Sequence, residues 1–136
     1  DRINTKFGTG DWKPIILEVV QYTHAELAQL YRRADVCVVT SLHDSMNLVA
    51  KEYVAERDSE DGALVLSKFA GASQDLKGAF IVNPYSAEET GTTIHEALSL
   101  APAEKHLRMK VMRDNIKNYN VYRWAAEFIK AVADLG

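Results

Sequence analysis

The sequence has little of what marks secreted and membrane proteins. Cysteine occurs once in the 136 residues, at Cys37, so no disulfide can form within the chain and nothing indicates an oxidising compartment. No apolar run approaches the roughly 20 residues that cross a bilayer, and no charged-then-apolar signal segment opens the chain. These absences predict a cytoplasmic protein without a membrane partner.

An excess of positive charge is also lacking. The 16 Lys and Arg side chains are outnumbered by 19 Asp and Glu, which gives a formal net charge of −3. Proteins that bind nucleic acid usually carry a basic surface, so we expect no nucleic-acid partner. An anionic ligand would have to be held by local dipoles rather than by the field of the whole chain.

Familiar phosphate-binding loops and metal-ligand patterns are missing as well. The seven glycines form neither GxGxxG nor GxxxxGK[ST]. His24, His95 and His106 have no metal-type spacing with one another or with the cysteine. The sequence therefore predicts no metal ion and no cofactor.

Strand-like and helix-like segments alternate along most of the chain. Apolar, β-branched runs predict four strands, at residues 13–20, 35–40, 62–66 and 79–82. Capping boxes predict helix starts at Thr23 with Glu26 and at Ser86 with Glu89. This alternation predicts an α/β, Rossmann-like parallel sheet with flanking helices, and a composition of 47% apolar and 26% charged residues fits one globular domain.

The remaining segments predict helices and one loop. The acidic run at residues 56–61 indicates a solvated loop rather than a metal site. Pro102 favours the first turn of a helix, and a final helix is expected from about Asn120. Its apolar residues recur at helical spacing: Val121, Trp124, Ala125, Phe128 and Ile129. Successive helices without a strand typically pack across the sheet or bridge to another domain.

The segment from Thr40 to Tyr53 concentrates groups suited to a ligand. It lies where a buried strand ends and a helix begins, which is where open α/β sheets bind ligands. Backbone N–H groups at residues 45–48 are expected to be unpaired there, and with the helix dipole they suit a phosphate. Asp44 could accept hydrogen bonds from sugar hydroxyls. Glu52, roughly 9 Å further along the helix, could bind a ribose.

Each of these residues also has an ordinary structural interpretation. Asp44 could be the N-cap of the helix. Glu52 could form a solvated charge pair with Lys51. Three apolar residues could belong to the core: Met46, Leu48 and Val49. The physics of the sequence leaves both interpretations open.

The order of the motifs resembles one known family. TxLxDxMNLVAKEYVA begins at Thr40, LVLSxFAGA at Leu64 and IVNPY at Ile81, with FGxxDWxPI at the front. These motifs look like the donor-binding lobe of the trehalose-6-phosphate synthase family, and glucosylglycerol-phosphate synthases share much of the pattern. The resemblance runs through nearly the whole chain and implies the C-terminal half of a retaining, two-lobed GT-B glycosyltransferase.

Residue roles follow from the resemblance by position. Four residues would contact the transferred glucose: Asp44, Ser45, Met46 and Asn47. Leu48 and Val49 would offer amides to the diphosphate, and Glu52 would bind the ribose hydroxyls. Tyr22 matches an aromatic position near the base, with a half-buried packing ring as the open alternative. No catalytic residue is assigned.

The resemblance also implies the substrates. UDP-glucose would be the donor and a phosphorylated sugar such as glucose 6-phosphate the acceptor, giving trehalose 6-phosphate without a metal. The family's Arg and Lys on the donor phosphates, its first βα unit and its acceptor lobe would lie before Asp1. We therefore expect residues 1–136 to form a single nucleotide-sugar-binding domain that is inactive alone, with a homo-oligomer left open.

One departure from the family pattern keeps alternatives open. The chain has His43-Asp44-Ser45 where the family usually has Arg-Asp-Gly. The Cβ of Ser45 would crowd a ligand if the backbone there needed a positive φ. His43 could carry a proton or be an exposed loop residue. The alternatives are a non-catalytic regulatory module, or a transferase with another nucleotide sugar or acceptor, such as glycerol 3-phosphate.

Overall fold

The computed structural model describes residues 2–135 as a three-stranded parallel sheet with helices on both faces. The elements in chain order are α1 Arg2–Phe7, α2 His24–Arg33, β1 Val36–Val39, α3 Leu48–Glu56, β2 Ala63–Ser67, a 3₁₀ helix Gly71–Gln74, β3 Phe80–Val82, α4 Ala87–Ser99, α5 Pro102–Asn118 and α6 Val121–Ala133. The strand order is β1-β2-β3. Val36 pairs with Ala63, and Val65 pairs with Phe80. The predicted α/β class with a parallel sheet is confirmed.

The central strand β2 divides the core into two layers. All five of its residues are buried, and alternate side chains point to opposite faces of the sheet. Leu64 and Leu66 belong to a cluster with residues of α3 and α5, including Tyr53 and Met109. The other face holds a smaller cluster: Ala63, Val65, Val82 and Ala97. This packing fixes α3, the helix after β1, against the sheet.

The predicted first strand, at residues 13–20, is wrong, and so is the predicted four-stranded sheet. The segment is irregular and exposed, with Leu17 84% and Val19 87% accessible. Its described anchor is the Asn4 side chain, which bonds both the N–H of Ile15 at 2.9 Å and the carbonyl of Ile15 at 2.7 Å. Apolar β-branched residues become a strand only where a neighbouring strand supplies hydrogen bonds. The sheet consists of β1, β2 and β3, and β1 pairs with β2 rather than with residues 13–20.

The helix starts were predicted with partial success. Thr23 caps α2, and the reciprocal capping box with Glu26 is present. Ser86 caps α4 by accepting from the N–H of Glu89 at 3.2 Å. The second half of that box is wrong, because the Glu89 carboxylate accepts from the N–H of Asn83 at 3.0 Å instead. Pro102 begins α5 and Asn120 caps α6 as predicted.

Two arginines hold the acidic loop after α3, which the sequence predicted to be merely solvated. Arg113 of α5 donates to the carbonyls of Val54 at 3.0 Å and Ala55 at 2.8 Å, and to Asp58 at 2.6 Å. Arg57 pairs with Asp61. Both arginines are buried although their partners are largely exposed. The loop is therefore fastened to the body of the domain at the carboxyl end of α3.

The last helix contributes no buried residue. Along α6 the apolar residues Trp124, Phe128 and Ile129 are 58–68% exposed, and the rings of Trp124 and Phe128 stack with their centroids 5.6 Å apart.

Within the described part of the chain, none of the helices is both long enough and apolar enough to span a bilayer.

Candidate functional site

The turn between β1 and α3 rests on the 3₁₀ helix. The N–H of Asp44 donates to the carbonyl of Phe69 at 3.2 Å, and the N–H of Gly71 donates to the carbonyl of Asp44 at 3.0 Å. The N–H of Ala72 donates to the carbonyl of Met46 at 2.8 Å. A Cβ on Gly71 would lie 2.0 Å from the carbonyl oxygen of Ser45, so only glycine allows this approach. Residues 69–72 therefore hold the backbone of the turn in place.

The Asp44 carboxylate is used inside the turn. Its Oδ1 accepts from the N–H of Met46 at 3.1 Å and of Asn47 at 2.9 Å, and its Oδ2 accepts from Asn47 Nδ2 at 2.9 Å. The Asn47 side chain, and then the Met46 amide, lower the pKa of Asp44 below its usual value. The expectation that the amides of Met46 and Asn47 are unpaired is therefore wrong.

Asn47, not Asp44, is the N-cap of α3. Its Oδ1 accepts from the N–H of Ala50 at 2.8 Å, and its Nδ2 also lies 3.4 Å from Ser41 Oγ. Its φ of 71° is in the left-handed region, which asparagine tolerates better than most residues. The helix consequently begins at Leu48, after Asn47 rather than directly after Asp44.

Three amides of the turn point to no protein partner. No hydrogen bond formed by residues 2–135 uses the N–H groups of Ser45, Leu48 or Val49. The core interpretation of Met46, Leu48 and Val49 is wrong, because their exposure is 51%, 61% and 44%. Exposed apolar residues beside free amides at a helix start form a surface on which an anionic ligand can lie.

The serine at the family's glycine position is not strained. Ser45 is exposed, and the positive-φ non-glycine residues of the described chain are Asn47 and Glu60. Its N–H is free to donate as a glycine N–H would. His43 is exposed on the same turn, and its imidazole is the last of the groups that lower the pKa of Asp44.

Glu52 faces α2 rather than Lys51. Its Oε2 accepts from the Tyr31 hydroxyl at 3.3 Å, while Lys51 pairs with Asp75 at 3.1 Å. The solvated pair with Lys51 is therefore wrong. Because α3 starts at Leu48, Glu52 lies one turn later on the same face, about 6 Å along the axis instead of the expected 9 Å.

Three of the predicted site residues line two depressions beside α3. Ser45 and Met46 line a cleft of about 320 Å³ with the 3₁₀ helix and the start of α6. Glu52 lines a groove of about 180 Å³ between α2 and α3, together with His24, Leu27, Ala28, Tyr31, Ala55 and Glu56. Tyr22 is half-buried before α2 but is not part of that lining. Ser45 and Met46 therefore share the cleft, Asp44 and Asn47 are joined by hydrogen bonds within the turn, and Tyr22 does not line the groove that holds Glu52.

The sequence missed two parts of this site. Tyr31 contacts Glu52 from 21 residues away, and no local pattern in the sequence indicates a contact between these two helices. The 3₁₀ helix Gly71–Gln74 was not predicted. Within residues 2–135, no three His, Cys, Asp or Glu side chains cluster where they could share a metal ion.

Known proteins match the chain along nearly its whole length. The model of Glycosyltransferase family 20 matches residues 1–134. The chain is 43% identical to a trehalose-6-phosphate synthase of Klebsiella pneumoniae, over 95% of this chain and 27% of that protein. It is 40% identical to a glucosylglycerol-phosphate synthase of Picosynechococcus, over 99% of this chain and 28% of that protein.

Solved structures agree with the fold. An α,α-trehalose-phosphate synthase from Burkholderia xenovorans, in complex with glucose-6-phosphate, superposes with a TM-score of 0.91 at 44% identity over 97% of this chain and 29% of that one. An E. coli protein bound with UDP-2-fluoro glucose gives 0.91 at 41% identity, over 96% and 29%. The chain therefore spans less than a third of the length of these relatives.

Proposed function

This chain belongs to glycosyltransferase family 20, and we propose that it is the donor-binding part of a retaining transferase. The whole protein would move glucose from UDP-glucose to a phosphorylated acceptor such as glucose 6-phosphate, giving trehalose 6-phosphate. The observation that carries this proposal is the set of free amides at Ser45, Leu48 and Val49, with Glu52 one turn beyond them. The E. coli relative bound with UDP-2-fluoro glucose supports this donor class.

The free amides suit the diphosphate of the donor. The helix start places partial positive charge beside them, and charge on a diphosphate grows as it leaves the sugar. These groups would therefore stabilise the departing UDP without a metal ion. We assign no catalytic base to this chain.

The Glu52 carboxylate suits the ribose. The described hydrogen bonds occupy Oε2 once, through Tyr31, and leave Oε1 unused. A carboxylate offers about four acceptor positions, so enough remain for two ribose hydroxyls. Tyr22 near the base stays a prediction, since its ring lies outside this groove.

Asp44 has less capacity for the sugar than the sequence suggested. Three of its roughly four acceptor positions are taken by Met46 and Asn47. We propose that the carboxylate accepts one glucose hydroxyl and otherwise shapes the turn. Ser45, Met46 and Asn47 would then surround the sugar mainly through backbone atoms.

A second acceptor is supported by one observation. The similarity to the glucosylglycerol-phosphate synthase is nearly as high as that to the trehalose-6-phosphate synthase, so glycerol 3-phosphate is the alternative acceptor. Ser45 in place of glycine keeps the regulatory alternative open, and its backbone carries no positive φ that would set its Cβ against a ligand. A cytoplasmic location, a homo-oligomer and the absence of a nucleic-acid partner stay predictions.

The test of the donor site is calorimetry with UDP and UDP-glucose on a full-length protein that carries this sequence. A charged hydrogen bond contributes roughly 1.5–3 kcal/mol, so Glu52→Ala should weaken both ligands by about 10- to 150-fold. Glu96→Ala, which removes an exposed carboxylate on α4, should change neither ligand. Unchanged affinity for both in Glu52→Ala would refute the ribose role.

Asp44 needs a gentler substitution than alanine. Asp44→Asn keeps an oxygen for the Met46 and Asn47 backbone amides and loses only the acceptor of Asn47 Nδ2, so it should weaken UDP-glucose more than UDP. Equal weakening of both ligands would make Asp44 a structural residue only. Product formation from UDP-glucose with glucose 6-phosphate or with glycerol 3-phosphate identifies the acceptor. A protein that binds UDP-glucose but transfers to neither would support the regulatory alternative.

A further inference from the structure

We infer that Tyr31 is a positioning residue for Glu52, holding the carboxylate in the orientation in which it accepts hydrogen bonds from the ribose hydroxyls. The inference rests on the proposed function, because it assumes that Glu52 meets a ribose. It adds a residue of α2 to a site that the motif of α3 alone does not define.

The contact between the two residues is the one described hydrogen bond of the Glu52 carboxylate. Tyr31 Oη lies 3.3 Å from Glu52 Oε2, and within residues 2–135 no ion pair uses Glu52. The neighbouring cation is engaged elsewhere, because Lys51 pairs with Asp75 at 3.1 Å. The phenol is therefore what restrains the carboxylate in the absence of a ligand.

Tyr31 is itself held in place. Its ring packs edge-on against Tyr53, with centroids 6.2 Å apart and planes at 81°. Tyr53 is fully buried and donates its hydroxyl to the carbonyl of Ala34 at 3.1 Å. Arg57 also donates to the Tyr31 carbonyl at 3.3 Å. The hydroxyl that meets Glu52 thus stands on a fixed part of the core.

The phenol is suited to act as a lasting donor. A phenol of ordinary pKa, 10.0, already keeps its proton at neutral pH, and burial, followed by the charge of Glu52, raises the pKa of Tyr31 further to about 12. A glutamate has three rotatable bonds, and ordering such a side chain on binding weakens affinity by roughly 2- to 12-fold. A carboxylate that is already oriented avoids most of this loss.

The experiment compares UDP with 2′,3′-dideoxy-UDP on the full-length protein. The dideoxy ligand has no ribose hydroxyls, so a change that acts through Glu52 should affect UDP alone. Tyr31→Phe removes only the hydroxyl, and we expect it to weaken UDP by about 2- to 12-fold with no change for the dideoxy ligand. Tyr53→Phe is the matched control, because it removes a phenol from the same α2–α3 contact without touching Glu52; it should leave the ratio of the two affinities unchanged.

A double variant separates positioning from a general structural effect. If Tyr31 acts through Glu52, adding Tyr31→Phe to Glu52→Ala should cost no further affinity for UDP. An additional loss in the double variant, or an equal change for both ligands in Tyr31→Phe, would overturn the inference. So would an unchanged UDP affinity in Tyr31→Phe.

The two proposals fail in different ways. If Glu52→Ala weakens UDP but not the dideoxy ligand while Tyr31→Phe does nothing, the ribose role stands and the positioning role falls. If Glu52→Ala treats both ligands alike, the ribose role falls and the positioning role falls with it.

Discussion

Substituting Gly71 should test most directly whether the 3₁₀ helix holds the turn in place. An alanine Cβ there would lie 2.0 Å from the Ser45 carbonyl oxygen and 2.9 Å from the Ser45 carbonyl carbon. The φ of Gly71 is outside the left-handed range, so alanine meets no backbone penalty and the effect of Gly71→Ala comes from the clash alone. Both clashing atoms are backbone, which cannot rotate away.

The magnitude follows from the displacement that is needed. Reaching even 3.0 Å, the shortest separation real Cβ atoms show, requires the turn and the 3₁₀ helix to part by 1.0 Å. Overpacking of this kind costs roughly 1–3 kcal/mol. The backbone hydrogen bonds from Gly71 and Ala72 to the turn resist the movement, so we expect about 2–3 kcal/mol of lost stability.

Urea unfolding of the 136-residue chain measures this loss, and calorimetry on the full-length protein measures its effect on UDP-glucose. Moving the turn by 1.0 Å at the Ser45 carbonyl should weaken UDP-glucose by about 10-fold or more. The matched control is Gly91→Ala in α4, where a Cβ meets no atom within 4 Å; it should stabilise the chain by roughly 0.5–1 kcal/mol. A Gly71→Ala chain that unfolds at the wild-type urea midpoint would refute the reasoning.

Two further predictions concern the thiol and the last helix. Burial raises the pKa of Cys37 to about 11 from 9.0. Alkylation of this thiol by iodoacetamide at pH 8, followed by mass spectrometry, should therefore be at least about 100-fold slower in the folded chain than in urea. Equal rates would contradict the packing of β1. Backbone amides of α6 should exchange with deuterium sooner than those of β1, because α6 has no buried residue; equal protection would mean that α6 packs fully on this domain.

The three strands of the sheet and the capped helices were predictable from the sequence. β1, β2 and β3 are continuous apolar runs, and α2 and α6 begin at residues whose side chains cap them. The segment 13–20 has the same apolar, β-branched character and yet forms no strand. Its composition meets the requirement for a buried strand, but a strand also needs a hydrogen-bonding neighbour, which a one-dimensional pattern cannot supply.

The sequence predicted where the candidate site lies but not which hydrogen bonds form there. Asp44 and Asn47 are both good capping residues, and which of them caps α3 depends on bonds from Gly71 and Ala72, more than 20 residues later. The same holds for Glu52, whose partner could be its neighbour Lys51 or a phenol on another helix. Side-chain choices of this kind are made by tertiary contacts, so sequence spacing leaves them undecided.

Arg113 can form its two carbonyl contacts with α3 only after it has been synthesised. Val54 and Ala55 precede the arginine that holds them by 59 and 58 residues. At about 5–20 residues per second, a ribosome needs roughly 3–12 s to cover that distance. During this interval the carboxyl end of α3 lacks the contacts of Arg113, although Gly71 and Ala72, which bond the turn at its amino end, are made early in it. The helix that bears Glu52 is thus held at its amino end first and at its carboxyl end only when α5 has been synthesised.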